Sequence, residues 1–96
     1  MRHSKTENVG SLLAQLVKQY NLEGKLLEVK AAKAFETLFG SAVTRHTERV
    51  EVQRRTLYVY LRSSVVRNEL MMQKTRIVEA VNEKVGASVI DRVVFR

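Results

Sequence analysis

Two imidazoles are present, His3 near the start and His46 ahead of a β-branched stretch, and neither has a second ligand at metal-binding spacing. A lone histidine at a helix–strand junction is ordinarily structural, so His46-Thr47 is expected to tie the start of the strand by hydrogen bonds. Glu28, Glu36, Glu79 and Glu83 fall on solvated helix faces, and no carboxylate pair sits in an apolar setting that would raise a pKa. The chain has no cysteine, which removes thiol nucleophiles, disulfides and cysteine-ligated metal. Gly10, Gly24, Gly40 and Gly86 stand singly, so no loop of the phosphate-cradling type is present. The expectation is a protein with no catalytic residue, no metal and no cofactor: not an enzyme.

The arginines carry more information. The sequence holds 17 Lys and Arg against 10 Asp and Glu, a formal net charge of +7. The excess is uneven. Arg45, Arg49, Arg54, Arg55 and Arg62 face only Glu48 and Glu51 between positions 41 and 62, the densest positive stretch of the chain. A guanidinium fork bonds two phosphate oxygens at once, which mere solubility does not require. Tyr58, Tyr60 and Arg62 alternate with apolar residues and so share one face of a strand, an arrangement suited to stacking single-stranded bases beside a cation. Two plainer readings stand beside these. A basic surface also serves solubility, and tyrosine is a good strand residue whose face can pack on a partner.

These groups need elements to position them. A length of 96 residues, 45% of them hydrophobic and 28% charged, fits one folded domain with a modest core. Residues 1–8 are polar and aperiodic and read as a disordered leader, leaving a single domain over 9–96. Val9, Leu12, Leu13, Leu16, Val17 and Tyr20 form one helical stripe, which Asn21 ends. A second stripe, Leu27, Ala31, Ala34, Phe35 and Leu38, ends at Gly40, suited to a left-handed cap. From Thr47 the period becomes two. Val50 and Val52, then Leu57, Val59 and Leu61, alternate with polar or aromatic residues on either side of Gln53-Arg54-Arg55-Thr56, which predicts a β-hairpin whose turn lacks Asn-Gly.

Ser63 and Ser64 can cap one long helix carrying Val66, Leu70, Ile77, Val81 and Val85, closed by Gly86. Met71 and Met72 read as core filling. Residues 88–96, with Val89, Ile90, Val93, Val94 and Phe95, predict a last strand parallel to one hairpin strand. The order is α-α-β-β-α-β, an α+β fold. No apolar run reaches the about 18 residues of a membrane span, so a cytoplasmic protein is expected.

The ordered residues Phe35-x-x-x-x-Gly40, Ala42-Val43-x-x-His46-Thr47, Leu57-x-Val59, Ser63-Ser64, Glu69-Leu70, Asn82, Gly86 and Val94-Phe95-Arg96 resemble the DciA-type family, formerly a domain of unknown function, over nearly the whole chain from about Val9. The family usually has Trp at Phe35 and often at Val66, and a Pro after His-Thr where this chain has Glu48 and Arg49. The Trp exchanges keep the core apolar. Many members carry a disordered extension, beside which this chain reads as a minimal version.

The resemblance implies a KH-like fold, with helices packed on one face of a three-stranded mixed sheet. It also implies a bacterial accessory role in DNA replication, helping to load or operate the replicative helicase by binding it, DNA, or both. The Gly-x-x-Gly clamp of KH domains is missing, so contact with single-stranded or forked DNA is expected through Arg45, Arg49, Arg54, Arg55 and Arg62, with Tyr58 and Tyr60 as stacking groups. Two alternatives remain: an adaptor that grips the helicase without touching DNA, and an RNA-binding KH-like module. Reversing Arg54 and Arg55 to Glu is expected to leave an exposed turn intact.

Overall fold

Alternation of period two puts every second side chain of a strand on one face, and Val50, Val52, Leu57, Val59 and Leu61 need a cover on that face. The computed structural model, which describes Leu12, Gln15 and residues 22–96, supplies it with helices. The elements are α1 (Leu22–Leu38), α2 (Ser41–Thr44), β1 (Thr47–Gln53), β2 (Thr56–Leu61), α3 (Ser64–Met71), α4 (Lys74–Val85) and β3 (Arg92–Phe95). The sheet order is β1-β2-β3, with β1 antiparallel and β3 parallel to the central β2. It is an α+β fold with a mixed sheet, as expected.

The core lies between that sheet face and the helices. Leu57 and Val59 are fully buried against Ala31, Ala34 and Phe35 of α1, Leu70 of α3, Ile77 and Val81 of α4, and Val93 and Phe95 of β3. Phe35 meets Phe39 with ring centroids 4.9 Å apart and Phe95 at 6.5 Å, so the three rings form an aromatic cluster.

The structure differs from the sequence reading in three places, at Gly40, in the long helix and in the last strand, and a fourth segment lies largely outside the described residues. Of the first predicted helix only Leu12 and Gln15 are among the described residues, both helical and exposed; the leader, the rest of that helix and Asn21 lie outside them. Gly40 is not a left-handed cap. At φ −78° and ψ −176° it is extended backbone at the N-cap of α2, a single turn that the sequence pattern did not show.

The long helix is broken in two at Met72-Gln73. The cause is visible in the spacing: between Leu70 and Ile77 no residue is buried, so nothing holds the helix straight across that turn. Met71 and Met72 are exposed there rather than in the core.

The last strand covers Arg92–Phe95 only. Val89 and Ile90 are buried without strand pairing, because the Asn82 side chain supplies their hydrogen bonds. Its Oδ1 accepts from the Val89 and Ile90 N–H groups at 2.9 and 3.1 Å, and its Nδ2 donates to the Ile90 carbonyl at 2.8 Å. Elsewhere the local chemistry is as expected: the Ser63 hydroxyl accepts from the Val66 N–H at 3.2 Å, and Gly86 sits at φ +88° as the left-handed cap of α4.

Candidate functional site

With the helices on one side, the other face of the sheet is left open. In register, Arg49 stands opposite Tyr60, Glu51 opposite Tyr58, and Gln53 opposite Thr56, while Arg92 and Val94 of β3 flank Thr56 and Tyr58. Arg96, one period beyond Val94, joins the same face. Each tyrosine is covered by an arginine: the Arg49 guanidinium carbon is 4.1 Å from the Tyr60 ring centroid, and that of Arg96 is 5.0 Å from Tyr58. The Tyr60 hydroxyl donates to Glu51 Oε1 at 3.3 Å, and the same carboxylate lies 4.0 Å from Arg49 Nε. The Tyr60 side chain foremost, helped by the Glu51 charge and opposed by desolvation, pushes the Arg49 pKa further up, in a guanidinium that is charged in any case.

The site residues expected from sequence fall into two groups at opposite ends of the hairpin. At the far end are Arg45, Arg49 and Arg62. The Arg62 Nη1 donates to the Arg45 carbonyl at 3.2 Å, and its N–H to the His46 carbonyl at 2.8 Å. The Thr47 hydroxyl donates to the Val43 carbonyl at 2.9 Å, so the His46-Thr47 corner fixes how these arginines leave the sheet, as the sequence suggested. Two residues that sequence reasoning missed complete the group: Arg96, and Arg67 of α3, whose Nε reaches the Arg96 carbonyl at 3.4 Å. The alternation Arg92, Val94, Arg96 was the signal for Arg96; nothing in the sequence marked Arg67.

At the near end the turn holds Arg54 and Arg55, both with positive φ, 50° and 64°. That is the signature of a type I′ turn, which matches strand twist but normally takes Asn-Gly. The two arginines are not equivalent. Arg55 Nε is 3.2 Å from Asp91 Oδ2, its Nη1 and Nη2 donate to the Ser88 carbonyl and hydroxyl at 3.0 and 3.1 Å, and its carbonyl accepts from the Asp91 N–H at 2.9 Å. It pins the turn to the loop before β3. Reversing Arg55 would therefore break a structural tie, contrary to the expectation for the paired Arg54, Arg55 reversal. Arg54 is exposed and has no ion pair or side-chain hydrogen bond among the described residues.

Five residue steps of β2, at about 3.3 Å each, set the two groups about 17 Å apart along the open face. The arrangement offers positive charge at both ends, with the Arg49 and Arg96 guanidiniums of the far group lying over Tyr60 and Tyr58. Among the described residues no cluster of three or more His, Cys, Asp or Glu could hold a metal, and no helix is long and apolar enough to cross a membrane.

Compared with known families, residues 8–95 match the one described as Dna[CI] antecedent, DciA. No curated protein and no solved structure matches the chain.

Proposed function

This chain belongs to the DciA family, a membership that links it to loading of the replicative helicase, and on that premise we propose that it works there as a non-enzymatic, nucleic-acid-binding accessory protein. The ligand is DNA in single-stranded or forked form, held by its phosphates and stacked bases rather than read by sequence. One observation carries this reading: the open sheet face lines up Arg49, Tyr60, Tyr58 and Arg96, with Arg45, Arg62 and Arg67 at one end and Arg54 at the other.

Because each tyrosine lies under its own arginine, the stacking surface offered to a base is the outer plane of the guanidinium as much as the ring. Tyr58 and Tyr60 then act chiefly as supports that hold Arg96 and Arg49 flat. Arg55 contributes charge while holding the turn, and Arg54 reaches the backbone beyond the sheet edge. The helicase is the protein partner in this reading, and the work is done in the cytoplasm.

Fluorescence anisotropy with single-stranded, forked and duplex DNA and with RNA of equal sequence tests the proposal. About five phosphate contacts give a slope of log K against log salt of about −3.5 to −4.5. Tighter binding of DNA than RNA, with that salt dependence, supports it. A preference for RNA supports the RNA-binding alternative, and absence of binding at low salt supports the adaptor.

The adaptor reading has an observation of its own. Val65 in the first turn of α3, and Met71 and Met72 at its end, are exposed apolar side chains on the helical layer. Recovery of the helicase from a bacterial lysate after nuclease treatment would show that the protein contact does not need DNA.

A further inference from the structure

β3 forms one edge of the sheet, and among the described residues no strand pairs with its outer side. Both main-chain groups of Arg96 are spent inward: its N–H donates to the Val59 carbonyl at 2.8 Å, and its carbonyl accepts from the Leu61 N–H at 3.1 Å. By the parallel ladder's two-residue period those of Val94 are spent likewise, leaving the N–H and C=O groups of Val93 and Phe95 directed outward. Beside this edge runs a groove of about 570 Å³ between β3 and α4, lined by Val78, Val93 and Val94 and by the charged Lys74, Glu79, Asp91 and Arg92. A row of unused backbone groups beside a groove with apolar and charged lining is what an added strand needs.

The charges on β3 select what that strand is. Arg92 and Arg96 lie on the open face, two residues either side of Val94. In antiparallel pairing of β3 with a second copy of itself, centred on Val94, each Arg92 would stand opposite an Arg96. Like charges directly opposite are destabilising, and a net charge of +7 per chain repels further. The edge thus rejects its own copy and favours an acidic strand. Two acids lie nearby: Asp91, shared between Arg55 at 3.2 Å and Arg92 at 3.9 Å, offsets part of the Arg92 charge, and Glu79 lines the groove alongside Lys74 and Arg92, so Arg96 carries most of the preference.

We infer that the outer edge of β3 and the groove beside α4 bind an extended acidic segment of a partner protein by strand addition. The chemistry fixes its pattern. Two acidic residues four apart stand opposite Arg92 and Arg96; the residue between them opposes Val94; and the two intervening side chains turn toward Val78 and Val93 and are apolar. The pattern is symmetric, so the segment can run in either direction. It uses the strand edge, whereas nucleic acid uses the face, and the two ligands share Arg96.

The test is amide exchange and chemical-shift NMR on the intact protein, titrated with the blocked peptide Ser-Glu-Val-Ile-Val-Glu-Ser, without nucleic acid. The expected result is slowed exchange at Val93 and Phe95, with shifts confined to β3 and α4. Exchanging the two peptide glutamates for lysines is expected to weaken binding about tenfold, and R92E combined with R96E to reverse the preference. Methylating the peptide's backbone nitrogens should abolish the exchange protection. Binding without protection of Val93 and Phe95, equal binding of acidic and basic peptides, or no shift at millimolar peptide overturns the inference. So does self-association of the free protein through β3, seen as protection of the same amides that depends on protein concentration. Each result is read without DNA, so it stands whether or not the sheet face binds nucleic acid.

Discussion

The Arg49 guanidinium lies over the Tyr60 ring, its central carbon 4.1 Å from the centroid, across the β1–β2 pair. The ring and the Glu51 carboxylate, 4.0 Å from Arg49 Nε and bonded to the Tyr60 hydroxyl, narrow the rotamers open to this exposed side chain. An ordered plane loses less entropy when it stacks on a base or forks onto a phosphate.

Replacing Arg49 by Lys keeps the charge and loses the plane. Affinity for single-stranded DNA is expected to fall about three- to tenfold with little change in salt slope, whereas Arg49→Ala should also flatten the slope by about 0.7. Tyr60→Phe, which keeps the ring, should bind nearly as well as the native protein, and Tyr60→Ala should behave like Arg49→Lys. Anisotropy titrations at several salt concentrations separate these cases.

The turn predicts a trade between stability and binding. A non-glycine residue held at positive φ costs about 1–2 kcal/mol, and Arg54 has no fixed contact among the described residues to offset it. Arg54→Asn, which tolerates that conformation, should stabilise the fold by about 0.5–1 kcal/mol and weaken DNA binding. Arg55→Asn relieves similar strain but forfeits the bonds to Asp91 and Ser88, so its stability change should be near zero or unfavourable. Urea denaturation midpoints measure both.

Asn82 is expected to be the most sensitive polar residue in the fold. Asn82→Ala leaves the N–H groups of Val89 and Ile90 and the Ile90 carbonyl without partners, a loss of about 2–4 kcal/mol. Asn82→Asp keeps the acceptor and loses the donor, so it should fall between the two. For scale, Leu57→Ala in the centre of the core should cost about 2–5 kcal/mol. Denaturation of the three variants under one set of conditions gives the ranking.

The same residues show what was legible in the sequence. Alternation at Val50, Val52, Leu57, Val59 and Leu61 gave the hairpin and its inner face, because buried faces leave a strict period, and the β-branched residues of 88–96 after a helix gave a parallel third strand, of which Arg92–Phe95 pairs. The break at Met72-Gln73 was hidden because Met, Gln and Lys are all good helix formers; only the missing buried position between Leu70 and Ile77 marks it. Val89 and Ile90 looked like strand because they are β-branched, yet a side chain seven residues earlier satisfies their backbone.

Of the site, residues on the hairpin could be grouped from sequence, since they share two adjacent strands. Their separation into two ends, the engagement of Arg55 by Ser88 and Asp91, and the arrival of Arg67 and Arg96 depend on contacts between elements distant in the chain.

Salt dependence of single-stranded DNA binding by the native protein and by the double variant Arg49→Ala, Arg96→Ala bears most closely on the sheet face as the nucleic-acid site. Both substitutions remove a stack from the same face and leave Arg54 and Arg55 in place. The prediction is a native slope of about −3.5, flattened by about 1.4 in the variant, with affinity reduced at least tenfold at low salt. An unchanged slope and affinity in the variant, or no binding by the native protein at low salt, would contradict it.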